Sequence, residues 1–393
     1  MTRTVPQFDF ESGTDRRGSD SIKWAKYAGR DILPLWVADM DFAAPPVVLD
    51  ALRRRIEHGV FGYGQPMPSL LAAVREHCAD EYGWAIDPDW IVWLPGLVTG
   101  LHVASRAVGQ AGDAVFTATP VYPPFLSAPP DSGRRLACCP LQLADDRWGW
   151  DFAAVAEALR RAQPKLWLLC HPHNPVGRAW NEDELREILR LAEAHDVVVC
   201  SDEIHCDLML EPRRHRPFAS LGVEAARRSI TLMAPSKTFN IPGLGCAFAL
   251  IPDARLRRDF RAAMHGIVPH VNVLGLVACE SAYRDCRDWR AASADFLRGN
   301  RDRVAAAVAA MPGLALAPVE ATYLAWIDAR ELCRAHGIDN PQRFFEHAGV
   351  GLSDGTDFGL AGEGGGFVRL NFGCTRATLD TALARMARAI SGL

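Results

Sequence analysis

No run of apolar residues in this 393-residue sequence approaches the length needed to cross a bilayer, and the polar stretch 1–18 has no apolar core of signal-peptide length. The expectation is a cytoplasmic protein with no membrane partner. Neither sign of charge dominates: 43 basic against 47 acidic residues leave a formal charge of -4. The two basic runs, Arg53-Arg54-Arg55 and Arg213-Arg214-His215-Arg216, are short and lack interleaved aromatics, so nucleic acid is not an expected partner. There is no Cys-x-x-Cys pair, and the eleven cysteines are odd in number. They are expected to be reduced and buried as small hydrophobes, not paired in a disulfide framework. No H-x-x-x-H pair accompanies the potential ligands His171, His173, Asp202, Glu203, His205 and Cys206, so no metal is expected. Internal repeats are absent too, and the only biased stretch is Gly362 to Gly366.

What is present is apolar mass: 49% hydrophobic residues over this length can bury a large core in two to three domain-sized units. From residue 91, short apolar runs alternate with amphipathic helical stretches. The runs 90–94, 114–117, 166–170, 197–200, 230–234 and 246–251 lack the polar alternation of half-exposed strands, which predicts a mainly parallel sheet covered on both faces. The stretch 182–195 predicts a crossover helix with Asn181 as N-cap, Glu184 completing a capping box, and Leu185, Ile188, Leu189 and Ala192 on one face. After residue 285 the pattern shifts to long helices at 289–311 and 375–390 with a strand at 323–328 between them. The fold class expected is α/β: a three-layer α/β/α large domain over residues 46–284, a smaller α+β domain over 285–393, and a segment 1–45 packing with the latter.

In open α/β sheets, ligands bind outside the carboxyl ends of the strands. The residues there are informative. The run 166–170 is followed by His171-Pro172-His173-Asn174-Pro175-Val176-Gly177, the run 197–200 by Ser201-Asp202-Glu203-Ile204-His205, and the run 230–234 by Pro235-Ser236-Lys237-Thr238-Phe239-Asn240. An amide, a carboxylate and a lysine thus meet at one sheet edge. A lysine at such a mouth, near apolar walls or a pyridinium, would have its pKa depressed towards a nucleophilic amine, which suits Schiff-base chemistry. A neighbouring carboxylate could keep a pyridine nitrogen protonated, and the amide could donate to the ring's phenolic oxygen. The stretch Pro95-Gly96-Leu97-Val98-Thr99-Gly100 follows a strand and opens a helix, so its free N–H groups could cradle a phosphate, with the Ser236 hydroxyl beside them.

In this order and spacing, N-P-x-G, S-D-E-I-H and S-K-T-F-N resemble the aspartate aminotransferase fold, fold type I of the pyridoxal 5′-phosphate enzymes, over nearly the whole chain. The motifs W-V-A-D-M-D-F at 36–42, G-V-F-G-Y at 59–63, A-P-S-K-T-F-N-I-P-G-L at 234–244 and G-F-V-R-L-N-F-G-C at 366–374 resemble its cystathionine β-lyase or cysteine C–S lyase branch. The resemblance implies pyridoxal 5′-phosphate as cofactor and Lys237 as the residue that holds it and then shuttles the substrate α-proton. It implies Asp202 as partner of the pyridine nitrogen, Asn174 as donor to the ring oxygen, and Tyr122 as the stacking aromatic. Gly96, Leu97, Val98 and Ser236 would hold the phosphate, and Arg369 would clamp the substrate α-carboxylate. Tyr63 resembles a tyrosine that reaches the phosphate of the neighbouring subunit, which implies a homodimer with shared active sites.

Two positions differ from many aminotransferases. Gly245 stands eight residues after the lysine, where they carry a phosphate-binding arginine, and His205 stands three after the aspartate, where they carry tyrosine. Both match the lyase branch, and His205 is expected beside the cofactor. The activity expected is β-elimination on an S-substituted L-cysteine such as cystathionine, releasing a thiol, pyruvate and ammonia. The alternatives are an aminotransferase using the same residues and, more remotely, a cofactor-binding regulator without turnover.

Overall fold

The computed structural model describes residues 8–393; the first seven residues of the polar stretch 1–18 and of the segment 1–45 lie outside it. Its main sheet has seven strands: β1 (Ile91–Leu94), β2 (Ala114–Thr119), β3 (Arg135–Pro140), β4 (Leu166–Cys170), β5 (Val198–Asp202), β6 (Ser229–Met233) and β7 (Ala247–Leu250). They lie in the order β1-β7-β6-β5-β4-β2-β3. Only β7 runs against the others.

All six expected strands form, 166–170 with the expected bounds and the others with one or both ends shifted by one or two residues. The absence of polar alternation has the expected cause. Phe116, Trp167, Leu169 and Val199 point to one face, into a core shared with Val155, Leu159, Leu185 and Ile188. Their neighbours Val115, Leu166, Leu168 and Cys200 point to the other, against Leu101, Ala104, Leu256 and Phe260. Both faces are therefore buried, as a parallel sheet requires. The strand β3 was not anticipated. It is an edge strand whose ends, Arg135 and Pro140, are exposed, and charge and proline at an edge mask a strand's pattern while discouraging further pairing.

Two helices anchor the site. The helix α1 (Leu97–Ala107) opens directly after β1 with no side-chain cap. The helix α2 (Glu182–Ala194) carries the full capping box between Asn181 and Glu184 and crosses from β4 to β5. Beyond residue 285, the helices α3 (Arg287–Ala309) and α4 (Arg376–Ser391) flank a four-stranded antiparallel sheet. Its strands are β8 (Ala315–Leu316), β9 (Leu324–Asp328), β10 (Ser353–Asp354) and β11 (Phe367–Asn371), in the order β8-β9-β11-β10.

The N-terminal segment packs against these later elements. Leu33–Pro34 pairs in parallel with Val350–Gly351, and Phe10 and Phe42 join Trp289 and Phe296 in an aromatic cluster with centroids 5.3–5.5 Å apart. Nine of the eleven cysteines are buried, and all are free thiols. No helix among the described residues is long and apolar enough to cross a membrane.

Candidate active site

Parallel registry brings the strand ends level. Cys170 is paired with Asp202 and Asp202 with Leu232, so the segments after β4, β5 and β6 leave the sheet side by side. Asp202 is the last residue of β5, not the first beyond it. The segment after β4 folds back so that the Asn174 carbonyl accepts from Tyr122 N–H at 3.0 Å, and the Asn174 side-chain oxygen accepts from Arg369 Nη1 at 3.0 Å. Arg369, in the middle of β11, thereby reaches across to the main sheet's carboxyl edge.

The motif at 36–42 lines the other side. The Trp36 carbonyl accepts from Arg369 Nη2 at 2.7 Å, and the Ala38 carbonyl accepts from both the Lys237 ammonium and the Tyr323 hydroxyl, at 2.5 and 3.0 Å. Two asparagines seat this loop. Asn240 donates to the Met40 and Phe42 carbonyls and accepts from Met40 N–H, while Asn371 donates to the Val37 and Asp39 carbonyls. Asn240 has φ +54°, a left-handed conformation that asparagine tolerates better than most residues.

The electrostatics follow from burial. Desolvation pushes the Asp202 carboxyl up to about 7, helped by its neighbour Glu203 and opposed by the Ile204 N–H and by Lys237. Desolvation pulls the Lys237 amine down to about 8, with Arg369 adding to the effect and Asp39 and Asp202 opposing it. It holds His205 neutral, at about 3, again with Lys237 and Arg369 nearby. Beneath Asp202, Glu203 and His215 share a 2.7 Å hydrogen bond, and burial drives both towards neutrality.

The residues present fit pyridoxal phosphate. Asp202 is buried, yet its side chain accepts only the Ile204 N–H from the protein, which leaves an oxygen for a ring N–H. The buried His205 Nδ1 has no partner. The first N–H groups of α1 are uncapped, and a Cβ placed on Gly96 would meet nothing within 4 Å, so there is open space where a phosphate would sit. The matching family model, aminotransferase class I and II, covers residues 30–386. The chain belongs to that family.

Among its curated relatives is cystathionine β-lyase PatB of Bacillus subtilis, 37% identical over 392 residues that cover 98% of this chain and all of that one. Among solved structures, the crystal structure of OvoB has 48% identity and a TM-score of 0.93, covering 98% of this chain and all of that one. Cystalysin from Treponema denticola, solved with pyridoxal 5′-phosphate, has 32% identity and a TM-score of 0.92, with the same coverage. The fold is that of the type I pyridoxal-phosphate enzymes.

The backbone explains why residue 245 is not an arginine, and Tyr63 is left in solvent. Gly245 has φ +56°, and a Cβ there would lie 3.2 Å from the Pro95 carbonyl, just before α1. An arginine would be strained in that backbone, so its absence is built into the turn. Tyr63 is fully exposed at 107%, in a stretch with exposed Val60, Phe61 and Met67. Tyr122 is half-buried within electrostatic reach of Arg369 and Asp202, and Ser236 is half-buried beside Lys237. Sequence reasoning missed the Trp36 and Ala38 carbonyls, Tyr323, Ser353 and Phe358. Backbone acceptors leave no mark in residue type, although Asn240 and Asn371, which aim the carbonyls, stood inside quoted motifs. A separate crevice, lined by Gly109, Lys165, Asp196, Arg228 and Asp253, holds none of the expected site residues.

Proposed function

We propose that this protein is a pyridoxal-phosphate-dependent carbon–sulfur β-lyase that cleaves S-substituted L-cysteines of the cystathionine type to a thiol, pyruvate and ammonia. The observation that carries this reading is the convergence of Lys237, Asp202, Asn174 and Arg369 on one pocket in a chain that matches a cystathionine β-lyase end to end. When bound, the cofactor supplies an electron sink for the charge left at the substrate α-carbon.

The residues then divide the work. Arg369 takes the α-carboxylate in a bidentate fork, held in place by the Trp36 carbonyl, the Ser353 hydroxyl at 3.2 Å and the Phe358 ring. Lys237, its amine lowered to about 8, removes the α-proton, and the electron pair left at Cα forms the Cα=Cβ bond as the Cβ–S bond breaks with its electrons going to sulfur. The lysine returns the proton to the departing thiolate, and one water hydrolyses the released aminoacrylate to pyruvate and ammonia. With the cofactor bound, Asp202 would hold the ring N–H, Asn174 would donate to the ring oxygen, and Tyr122 would cover the ring face. His205, neutral and buried, would lie beside the ring without adding charge, and Gly96, Leu97, Val98 and Ser236 would hold the phosphate. The exposed Tyr63 and its apolar neighbours support a homodimer in which Tyr63 reaches the phosphate held by a second copy.

The test is to incubate the purified holoenzyme with cystathionine and a panel of cysteine thioethers. Equal amounts of pyruvate, ammonia and thiol are expected with no 2-oxo acid acceptor added. A strict requirement for a 2-oxo acid acceptor would instead make it an aminotransferase, and no turnover of any thioether would overturn the lyase reading.

A further inference from the structure

One carbonyl oxygen in the pocket serves two donors. The Ala38 carbonyl accepts from the Lys237 amine and, at 3.0 Å, from the Tyr323 hydroxyl, which together use both lone pairs of that oxygen. Among the described residues this is the only hydrogen bond of the Lys237 side chain, and it joins no ion pair. An ammonium would bring three N–H donors to half of one acceptor, whereas a neutral amine brings two and keeps a lone pair. The contact therefore suits the neutral form. Burial favours it too and lowers the amine to about 8; Asp39 and Asp202 oppose the effect, Arg369 adds to it, and the neutral His205 brings no charge. Burial and Asp39 keep the Tyr323 hydroxyl protonated far above its usual range, against Arg369, so it remains a donor throughout.

The backbone is bent to put that hydroxyl there. Thr322, just before Tyr323, is buried at φ +75°, a left-handed conformation that a β-branched residue adopts only under constraint. Two loops of the site supply the constraint. The Gly177 carbonyl, three residues after Asn174, accepts from Glu320 N–H and Ala321 N–H at 2.9 and 3.0 Å. The Leu208 carbonyl, three residues after His205, accepts from Thr322 N–H at 2.9 Å. Leu324 N–H on the Thr322 hydroxyl, at 3.1 Å, and Phe372 N–H on the Tyr323 carbonyl, at 2.9 Å, complete the clamp. The Tyr323 ring then stands edge-on to the His205 ring, with centroids 6.0 Å apart. Filling space does not call for a strained residue in front of the ring.

We propose that Tyr323 is a positioning residue for Lys237: its hydroxyl occupies one side of the Ala38 carbonyl, so that the lysine, once free of the cofactor, is held there by a single N–H with its lone pair open to the substrate α-proton. The inference rests on the reading of Lys237 as the base and deepens it. It applies to any reaction that begins by removing that proton, elimination and amine transfer alike. Without the hydroxyl, the oxygen becomes a better acceptor for an ammonium, and the lysine is retained in the charged form that cannot take a proton.

The experiment uses Tyr323→Phe, which keeps the ring on His205 and leaves the Ala38 carbonyl its bond to Lys237. The rate at which the cofactor-free chain captures pyridoxal 5′-phosphate is followed by absorbance against pH, because capture needs the uncharged amine. The midpoint is expected to rise by about 0.5–1 pH unit in the variant. In the holoenzyme, exchange of the α-proton of L-alanine in deuterium oxide should fall about three- to tenfold near neutral pH and approach wild type well above the midpoint. A midpoint that falls or stays within about 0.2 pH units of wild type, or an exchange rate lowered equally at every pH, overturns the proposal and leaves Tyr323 a packing residue. A wild-type holoenzyme that neither exchanges the α-proton of alanine nor releases pyruvate from cystathionine sinks the reading of Lys237 as the base, which is a separate failure.

Discussion

Asp202 is the side chain whose environment most needs a cofactor to make sense. Burial and the like-charged Glu203 oppose its ionised form, and a protonated ring nitrogen is the partner that reverses that balance. Asp202→Asn keeps the shape and removes the charge, so cofactor should remain bound while kcat for pyruvate release falls about 100-fold or more; unchanged kcat would remove Asp202 from the mechanism. The other buried ionisable groups set an acid limit on stability. His171, His205 and His215 are held near 3 and His173 near 4, each mainly by burial, against a usual 6.5. The unfolded chain takes up these protons below pH 6.5 and the folded chain does not, so folding loses stability as pH falls. Asp202 and Glu203, both raised to about 7, act in the opposite sense, because the fold already holds their protons. Four imidazoles against two carboxyls leave a net two protons favouring the unfolded state, or about 2–3 kcal/mol per pH unit between 6 and 5. Denaturant unfolding of the cofactor-free protein should show this loss, and equal or greater stability at pH 5 would contradict it.

At the level of elements, the loop 36–42 is the part of the site that most depends on distant sequence. Its carbonyls hold Arg369 and Lys237, and it is itself held by Asn240 from the lysine segment and Asn371 from the end of β11. Asn240→Asp keeps the acceptor for Met40 N–H and removes the donors to Met40 and Phe42, at a cost of about 1–3 kcal/mol for the carbonyls left facing a carboxylate. The expected result is a rise in KM for thioether substrates that exceeds the fall in thermal stability, measured on the same preparation; a stability loss without a KM change would make the loop purely structural. This loop also marks where the sequence stops being legible. Strand cores such as Leu166–Cys170 could be read because both their faces are buried, and Lys237, Asp202 and Asn174 because a parallel sheet gathers the residues after its strands. The edge strand Arg135–Pro140 could not, since an exposed edge has no apolar signature. Nor could the roles of the Trp36 and Ala38 carbonyls or Tyr323, since their contacts join residues some 200 to 330 positions apart and rest on backbone atoms, nor that of Phe358, which acts on Arg369 through plain aromatic packing.

At the level of the whole molecule, the proposed homodimer would complete a site that one chain leaves open. The phosphate cradle at the start of α1 has exposed Val98 in its first turn, and the stretch holding Val60, Phe61, Tyr63 and Met67 turns its side chains to solvent. Exposed apolar residues on both the cradle and this arm are accounted for together if the arm of one copy covers the cradle of another. A shared site makes a prediction that independent sites do not. Lys237→Ala and Tyr63→Ala enzymes should each be nearly inactive alone. Unfolded together and refolded, about half of the dimers would be hybrids in which one site has both native residues, restoring roughly a quarter of wild-type activity. Pyruvate release from cystathionine after mixing measures this directly. If Tyr63 served its own chain's site, every site in a hybrid would lack either Lys237 or Tyr63, and mixing would restore nothing.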